Sequence, residues 1–262
     1  MKKKEETKYL DKEWKQMNIH LKAFLESGDQ EELHRFRVQI KKVKAMLSLF
    51  ENTSRQHQDL LKGFKPVKEI FRYAGHIRDA YTNLQLSERY NLKNEAFETS
   101  QQKIIEEGTT EFQHQGKKHL KHIKDAYKHL KKQLTSVHNS SIAEYYKKQL
   151  EEISANFAIS AFNEDMHTNR KLIKILVYNH KLADKALNGS VPFNTQYLDK
   201  LQGAIGEWHD NIVAAQLFST PELNDKPVVT KIKRKNAGVK RSITLMADDF
   251  LKKATAVEME NV

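Results

Sequence analysis

The chain has 262 residues, with 45 Lys and Arg against 34 Asp and Glu, a formal net charge of +11 and no cysteine. The lack of cysteine excludes disulfides, thiolate metal sites and cysteine nucleophiles. No apolar run of about 18 residues predicts a membrane span, and the charged N-terminus does not read as a secretory signal, so a cytoplasmic protein is expected. The positive charge favours a polyanionic partner, namely nucleic acid, an anionic membrane surface or polyphosphate, without choosing among them.

Few glycines (9) and prolines (4), together with little strand-like alternation, predict an all-α fold. In the first half, Pro66 is expected to interrupt the third helix and Gly75 to bend it. Apolar periodicity places the four helices of this half at about 3–27, 30–51, 60–86 and 97–134.

A polar stretch at 136–141 is the predicted boundary between two halves. Pro192 is expected to open the third helix of the second half. The four helices of this half are predicted at about 141–158, 160–188, 192–218 and 228–257. The sequence therefore predicts a single domain over 5–257, with a first repeat at about 5–135, a second at about 141–257, and tails at 1–4 and 258–262.

The second predicted helix carries a row of basic residues on one face. His34, Arg37, Lys41 and Lys44 stand at offsets 0, 3, 7 and 10 and fall within an arc of roughly 80° on a helical wheel. Asp29 is the expected N-cap. The opposite side is an apolar stripe that predicts burial: Phe36, Ile40, Val43, Leu47 and Phe50. Neighbouring like charges on a helix repel, so the row predicts an anion that neutralises it.

The basic row occurs a second time in the second half. His167, Arg170 and Lys174 repeat offsets 0, 3 and 7, while Val177 occupies the fourth position. Two copies of the same pattern indicate a duplication. This repetition favours a binding role for His34 and His167 over the alternative that they are ordinary surface residues.

A matched segment follows each copy of the basic row. Asp79 lies 45 residues after His34 and closes the segment 70–79, and Asp210 lies 43 residues after His167 and closes the segment 201–210. The pair Arg78–Asp79 is interpreted as a salt bridge or helix cap at a bend.

These paired elements resemble the CHAD family (conserved histidine α-helical domain), whose members carry a duplicated His-x-x-Arg-x-x-x-(Arg/Lys)-x-x-(Arg/Lys) helix followed by a segment like Leu-Gly-x-x-(Arg)-Asp. The resemblance covers roughly residues 5 to 257. This sequence departs from the pattern at Val177, and at His209 where the first half has Arg78.

The resemblance implies two pseudo-symmetric four-helix bundles forming one compact domain, with a basic central groove or pore that binds inorganic polyphosphate. Arginine grips two phosphate oxygens in a fork, and a helix supplies a cation about every 5.4 Å along its axis. The residues expected to bind polyphosphate are His34, Arg37, Lys41, Lys44, His167, Arg170 and Lys174.

Further basic side chains are candidates for additional binding. A lysine stripe that begins at Lys117 is either a solvated helix face or a third wall of the groove. A basic run near the C-terminus is a fourth wall, an exposed patch that binds nucleic acid, or neither of these. The additional candidates are Lys117, Lys121, Lys124, Lys128, Lys171, Tyr178, Lys181, Lys233, Arg234, Lys240 and Arg241.

The expected function is polyphosphate binding by a free-standing module associated with polyphosphate granules in the cytoplasm. The alternatives are a nucleic-acid-binding protein that uses the same charge, and an accessory factor or enzyme of polyphosphate metabolism. The sequence lacks zinc-protease, serine-hydrolase and Walker motifs, so no enzyme activity is expected. His119 and His122 lack a third ligand nearby, and no metal or other cofactor is predicted.

Overall fold

The computed structural model describes residues 3–54, 59–159, 162–189 and 193–256, and every regular element within these ranges is an α-helix. The all-α prediction is therefore confirmed. The chain divides into two compact units, of which the first ends at Val137 and the second begins at His138. The repeat bounds expected from the sequence stay predictions.

The first unit contains six helices within its described residues. They are α1 (Lys3–Ser27), α2 (Gln30–Thr53), α3 (Leu60–Gly63), α4 (Lys65–Tyr90), α5 (Glu95–His114) and α6 (Gly116–Gln133). Asp29 caps α2 as expected, since its side chain accepts a hydrogen bond from the Glu31 amide at 2.9 Å. Pro66 lies in the first turn of α4, where backbone N–H groups make no hydrogen bond within the helix, so the lack of an N–H on proline costs nothing there.

Two predicted features of the first unit are wrong. Gly75 does not bend the chain, because it lies inside the continuous helix α4 and is buried. The predicted helix at 97–134 is two helices, which separate at Gln115, whereas Gly108 lies within α5. Gly116 begins α6 where the Leu25 side chain approaches closely, since a Cβ added to this glycine would lie 2.9 Å from Leu25 Cδ2.

Helices α1, α2, α4 and α6 pack in a closed ring, in which α1 contacts α2, α2 contacts α4, α4 contacts α6 and α6 contacts α1. Within this ring α2 and α6 occupy opposite corners. The apolar stripe of α2 faces the ring interior and stabilises it by removing apolar surface from water. Fully buried side chains in this core are Leu10, Met17, Leu21, Phe24, Phe36, Leu47, Phe64, Phe112, Ile123 and Leu130.

The second unit contains five helices within its described residues. They are α7 (Asn139–Ile159), α8 (Glu164–Ala186), α9 (Thr195–Phe218), α10 (Lys226–Ala247) and α11 (Phe250–Thr255). Asn163 and Asn194 cap α8 and α9 by accepting hydrogen bonds from backbone amides. These caps explain why the two helices begin later than predicted. Pro192 lies outside the described residues, and the predicted last helix ends at Ala247 before α11 resumes.

In the second unit α8 packs between α7 and α9, α10 lies along α9, and α11 contacts both α7 and α9. Buried side chains of its core include Tyr146, Ile153, Ile173, Leu176, Leu198, Ile205, Trp208 and Phe218. Among the described residues of the whole chain, no helix combines the length and apolar character that crossing a membrane requires.

Candidate functional site

The basic row of α2 lies at the edge of the helix that faces α4. Burial of the apolar stripe orients α2, and the row is left at the margin between the core and solvent: His34 and Arg37 are half-buried, whereas Lys41 and Lys44 are exposed. These four residues, with Arg78 of α4, are called the first basic site below.

Arg37 is held against the backbone of α4. Its Nη1 donates a hydrogen bond of 2.6 Å to the Phe71 carbonyl oxygen, and its guanidinium carbon lies 4.2 Å from the centre of the Phe71 ring. A Cβ added to Gly75 would lie 2.8 Å from the same Nη1. Glycine at this position therefore leaves the space through which the guanidinium reaches the carbonyl. The side chain is fixed before any ligand arrives, which reduces the entropy lost on binding.

The first basic site has an excess of positive charge. Burial is the main cause that lowers the pKa of His34, and the nearby charges of Arg78, Lys41 and Arg37 lower it further, whereas Glu31 acts in the opposite direction. A neutral imidazole is therefore favoured at neutral pH, and an anion bound here would raise this pKa.

Arg78 is the second arginine of the first basic site. Its guanidinium carbon lies 4.8 Å from the centre of the Tyr81 ring. Its Nη1 is buried and has no hydrogen-bond partner among the described residues. A buried donor without an acceptor costs free energy, and an anionic oxygen is an acceptor that would remove this cost.

The second unit holds its motif arginine in a similar way. Arg170 Nε donates a hydrogen bond of 3.2 Å to the Gln202 carbonyl oxygen of α9. A Cβ added to Gly206 would lie 2.8 Å from Arg170 Nη2. In each unit the glycine follows the acceptor carbonyl by four residues. The arginine, the carbonyl and the glycine thus form the same anchor twice.

The histidine of the second motif has a different neighbour. The rings of His167 and His209 are stacked, with centres 4.5 Å apart and an angle of 25° between their planes. His209 Nδ1 also lies 3.9 Å from an Asp210 carboxylate oxygen. Lys174 Nζ lies 5.3 Å from the centre of the Tyr178 ring. His167, Arg170, Lys174 and His209 are called the second basic site below.

The other predicted residues of α8 and α10 differ in their exposure to solvent. Lys171 and Lys181 are exposed, and Tyr178 is half-buried. Lys240 is half-buried, and its Nζ lies 5.1 Å from the centre of the Phe162 ring. Because the Phe162 ring packs on Trp208, the residue before His209, Lys240 lies near the second basic site. The remaining predicted cations of α10 are exposed: Lys233, Arg234 and Arg241.

The lysine stripe on α6 does not join the first basic site. Lys117, Lys121, Lys124 and Lys128 are all exposed on the outer side of α6. Because α6 and α2 occupy opposite corners of the ring, the stripe does not form a third wall beside the α2 row in this unit.

The interpretation of Arg78 and Asp79 is wrong. Both residues lie in the middle of α4, and no ion pair joins them in the part of the chain that the structure describes, so neither a cap nor a salt bridge explains them. Asp79 instead raises the pKa of Arg37, partly offsetting the effect of burial.

The site residues that were not predicted are Phe71, Gly75, Arg78, Gln202, Gly206 and His209. The matched glycines of the two downstream segments are the sequence signal that could have revealed them.

No group of three potential metal ligands occurs among the described residues. His119, considered above with His122, is buried with its ring centre 4.4 Å from that of Phe112. Burial, with smaller effects of His122 and Lys118, lowers its pKa to about 4.

Comparisons with known proteins agree with the motif and the fold. A family model described as the CHAD domain matches residues 8–219. The crystal structure of the CHAD domain from the plant Ricinus communis has a TM-score of 0.61 to this structure and 14% sequence identity, over 98% of this chain and 92% of that chain, and so shares its fold. Among curated protein sequences, none matches this chain. Because the family model covers most of the sequence and the motif residues lie within it, the chain belongs to the CHAD domain family.

Proposed function

We propose that this CHAD domain binds inorganic polyphosphate through the first and second basic sites. The observation that carries the proposal is the shortage of negative charge in the first basic site. Arg78 has a buried donor without an acceptor, Arg37 is already fixed in place, and several cations lower the pKa of His34. A phosphate oxygen would satisfy the Arg78 donor and offset the repulsion among these groups.

In the first unit, polyphosphate is favoured over nucleic acid by the side chains that the motif helix α2 presents to solvent. A polymer of phosphates without bases needs only a series of cations, whereas single-stranded nucleic acid also needs aromatic platforms on which bases stack. The aromatic residues of α2, Phe36 and Phe50, are fully buried in the core. Nucleic-acid binding is therefore the alternative that the experiment below tests.

The domain acts as a binding module in this proposal. Hydrolysis of a phosphate chain normally uses metal ions held by carboxylates, whereas the motif side chains are cations and histidines. Association with polyphosphate granules in the cytoplasm would follow from the binding itself. The expectation that both basic sites line one groove stays a prediction from the sequence.

The test is a competition experiment at fixed ionic strength, because contacts with any polyanion depend on salt. Labelled long-chain polyphosphate is displaced from the protein by unlabelled polyphosphate, single-stranded DNA or RNA. The variant is Arg37→Ala/Arg170→Ala. Losing two charge-assisted contacts costs about 3 kcal/mol, which is an affinity loss of about 100-fold.

The matched control is Arg35→Ala/Lys200→Ala, which removes the same charge from α2 and α9 at exposed positions. Arg35 pairs with Glu31 and Glu32 and lies outside the basic row. The proposal predicts that the control binds like the wild type and that nucleic acids compete poorly. Equal competition by DNA or RNA, with no effect of the two motif arginines, would contradict it.

A further inference from the structure

The exposed lysines of α1 and α6 form a second basic surface on the first unit. The two helices run in opposite directions along a shared seam. Asp11 accepts hydrogen bonds from the Tyr127 hydroxyl at 2.6 Å and from Lys131 Nζ at 3.0 Å. Towards the other end of α1, the side-chain amide of Gln113, in the last turn of α5 immediately before α6, donates to the Leu25 carbonyl at 3.1 Å. These contacts bring the outer sides of α1 and α6 next to each other.

Eight lysines project from the outer sides of these two helices, and all eight are exposed. No ion pair or side-chain hydrogen bond involves any of them within the ranges that the structure describes. We call this surface the lysine face. It consists of Lys8, Lys12, Lys15, Lys22, Lys117, Lys121, Lys124 and Lys128.

The composition of the lysine face selects a simple polyanion. Neither α1 nor α6 contains arginine. The surface therefore lacks guanidinium groups, which make paired hydrogen bonds to phosphate oxygens or to the edges of bases. Trp14 is buried, and the Tyr127 ring already packs against Trp14 and has its centre 5.1 Å from Lys131 Nζ, so neither ring is a free stacking platform. Asp11 at the seam is already paired with Lys131, and the two exposed acidic residues of these helices, Glu26 and Asp125, are outnumbered by the eight lysines. The surface therefore offers point charges at helical spacing, which suits an unbranched phosphate polymer.

The lysine face and the first basic site lie on opposite edges of the helical ring. The first basic site lies where α2 meets α4, whereas the lysine face lies where α6 meets α1. One segment of a ligand in contact with both would have to pass around the bundle. They are therefore two separate binding surfaces of one unit.

We propose that the lysine face is a second, weaker polyphosphate-binding surface, through which one protein molecule bridges two segments of long-chain polyphosphate. This inference rests on the proposed function, since the tighter attachment is that of the two basic sites. A long polymer has many equivalent segments, so proteins with two separate attachment surfaces join polymers into a network by multivalent binding. A ligand as short as tripolyphosphate occupies one surface without forming a network.

The test uses the full chain and the variant Lys8→Gln/Lys15→Gln/Lys121→Gln/Lys128→Gln. The matched control, Lys62→Gln/Lys93→Gln/Lys103→Gln/Lys200→Gln, removes the same charge from exposed positions elsewhere. A third variant places arginine at the four lysine-face positions and keeps their charge. Light scattering is followed while long-chain polyphosphate is added, and tripolyphosphate affinity is measured by calorimetry at the same ionic strength.

The inference predicts that wild type, control and arginine variant scatter strongly with long-chain polyphosphate and not with tripolyphosphate. The lysine-face variant should keep its tripolyphosphate affinity and need about tenfold more long-chain polymer for the same scattering. Scattering equal to that of the control would overturn the inference and leave the proposed function intact. Loss of binding to anionic vesicles or RNA, with unchanged polyphosphate scattering, would overturn it in favour of another partner. Failure of the proposed function would appear separately, as unchanged affinity in the Arg37→Ala/Arg170→Ala variant.

Discussion

The first and second basic sites share an anchor and differ in the charges around it. In each site, the motif arginine donates a hydrogen bond to a backbone carbonyl of the neighbouring helix. Its guanidinium lies against the glycine that follows this carbonyl by one helical turn. Beside this anchor, the first unit has Arg78 and the second has His209.

This difference separates the part of the site that fixes geometry from the part that supplies charge. The first basic site has permanent charge on both Arg37 and Arg78, since arginine stays protonated in proteins. The second has one arginine, and Val177 stands where the first has Lys44. We therefore expect the first basic site to contribute more to polyphosphate affinity at pH 8, and the predictions below test this asymmetry.

The largest expected effect is that of Arg78→Ala. Removal of a permanent charge with a buried donor should cost about 2 to 3 kcal/mol of polyphosphate binding, or about 30- to 100-fold in affinity. The equivalent change His209→Ala should cost less, about 1 kcal/mol, since an imidazole lacks the forked set of donors that a guanidinium presents to phosphate. Calorimetric titration of both variants at one ionic strength measures the difference. Equal losses would show that the two units do not differ in this way.

The next effect tests the shared anchor. Alanine ordinarily stabilises a helix by about 0.5–1 kcal/mol relative to glycine, but a Cβ at Gly75 or Gly206 would displace the guanidinium. Gly75→Ala and Gly206→Ala should each weaken polyphosphate binding about tenfold, which corresponds to one charge-assisted hydrogen bond. Gly203→Ala in α9 is the control, because nothing lies within 4 Å of its added Cβ. It should leave affinity unchanged. Wild-type affinity in the Gly75→Ala variant would rule out the anchor.

A smaller effect concerns pH and His34. Burial and neighbouring cations lower the pKa of His34 in the free protein, and a bound anion raises it, so binding takes up a proton. Polyphosphate affinity should therefore rise as pH falls, and the rise should continue below pH 6.5, the ordinary value for histidine. Titrations between pH 5.5 and 8 should show a shallower rise for His34→Gln. A flat profile in the wild type would remove this histidine from the site.

The smallest expected effect comes from restoring the missing cation of the second motif. Val177→Lys should tighten polyphosphate binding by about 0.5 kcal/mol, roughly twofold, as expected for one partly exposed charge. Val213→Lys adds the same charge at an exposed position of α9 and serves as the control. Equal gains in both variants would assign the effect to net charge alone.

The sequence predicted those features that depend on neighbouring residues. The Asp29 cap, the apolar stripe from Phe36 to Phe50 and the interruption of the third predicted helix near Pro66 follow from local rules, and the structure has all three. The duplicated motif also predicted the family correctly.

The anchors could not be predicted in the same way, because each joins residues that are distant in sequence. Gly75 lies 38 residues after Arg37, and its role depends on how α2 packs against α4. From the sequence alone, a glycine inside a helical pattern therefore predicts a bend. For the same reason the sequence predicts a pairing of Arg78 with its neighbour Asp79, whereas in the structure the charge of Arg78 on α4 lowers the pKa of His34 on α2.

The most direct test of the central claim is to compare Arg37→Ala and Arg170→Ala as single variants, each titrated with long-chain polyphosphate at fixed ionic strength. If both basic sites bind the polymer, each variant loses affinity by about tenfold or more relative to Arg35→Ala, and Arg37→Ala loses at least as much as Arg170→Ala. Wild-type affinity in both variants would contradict the account.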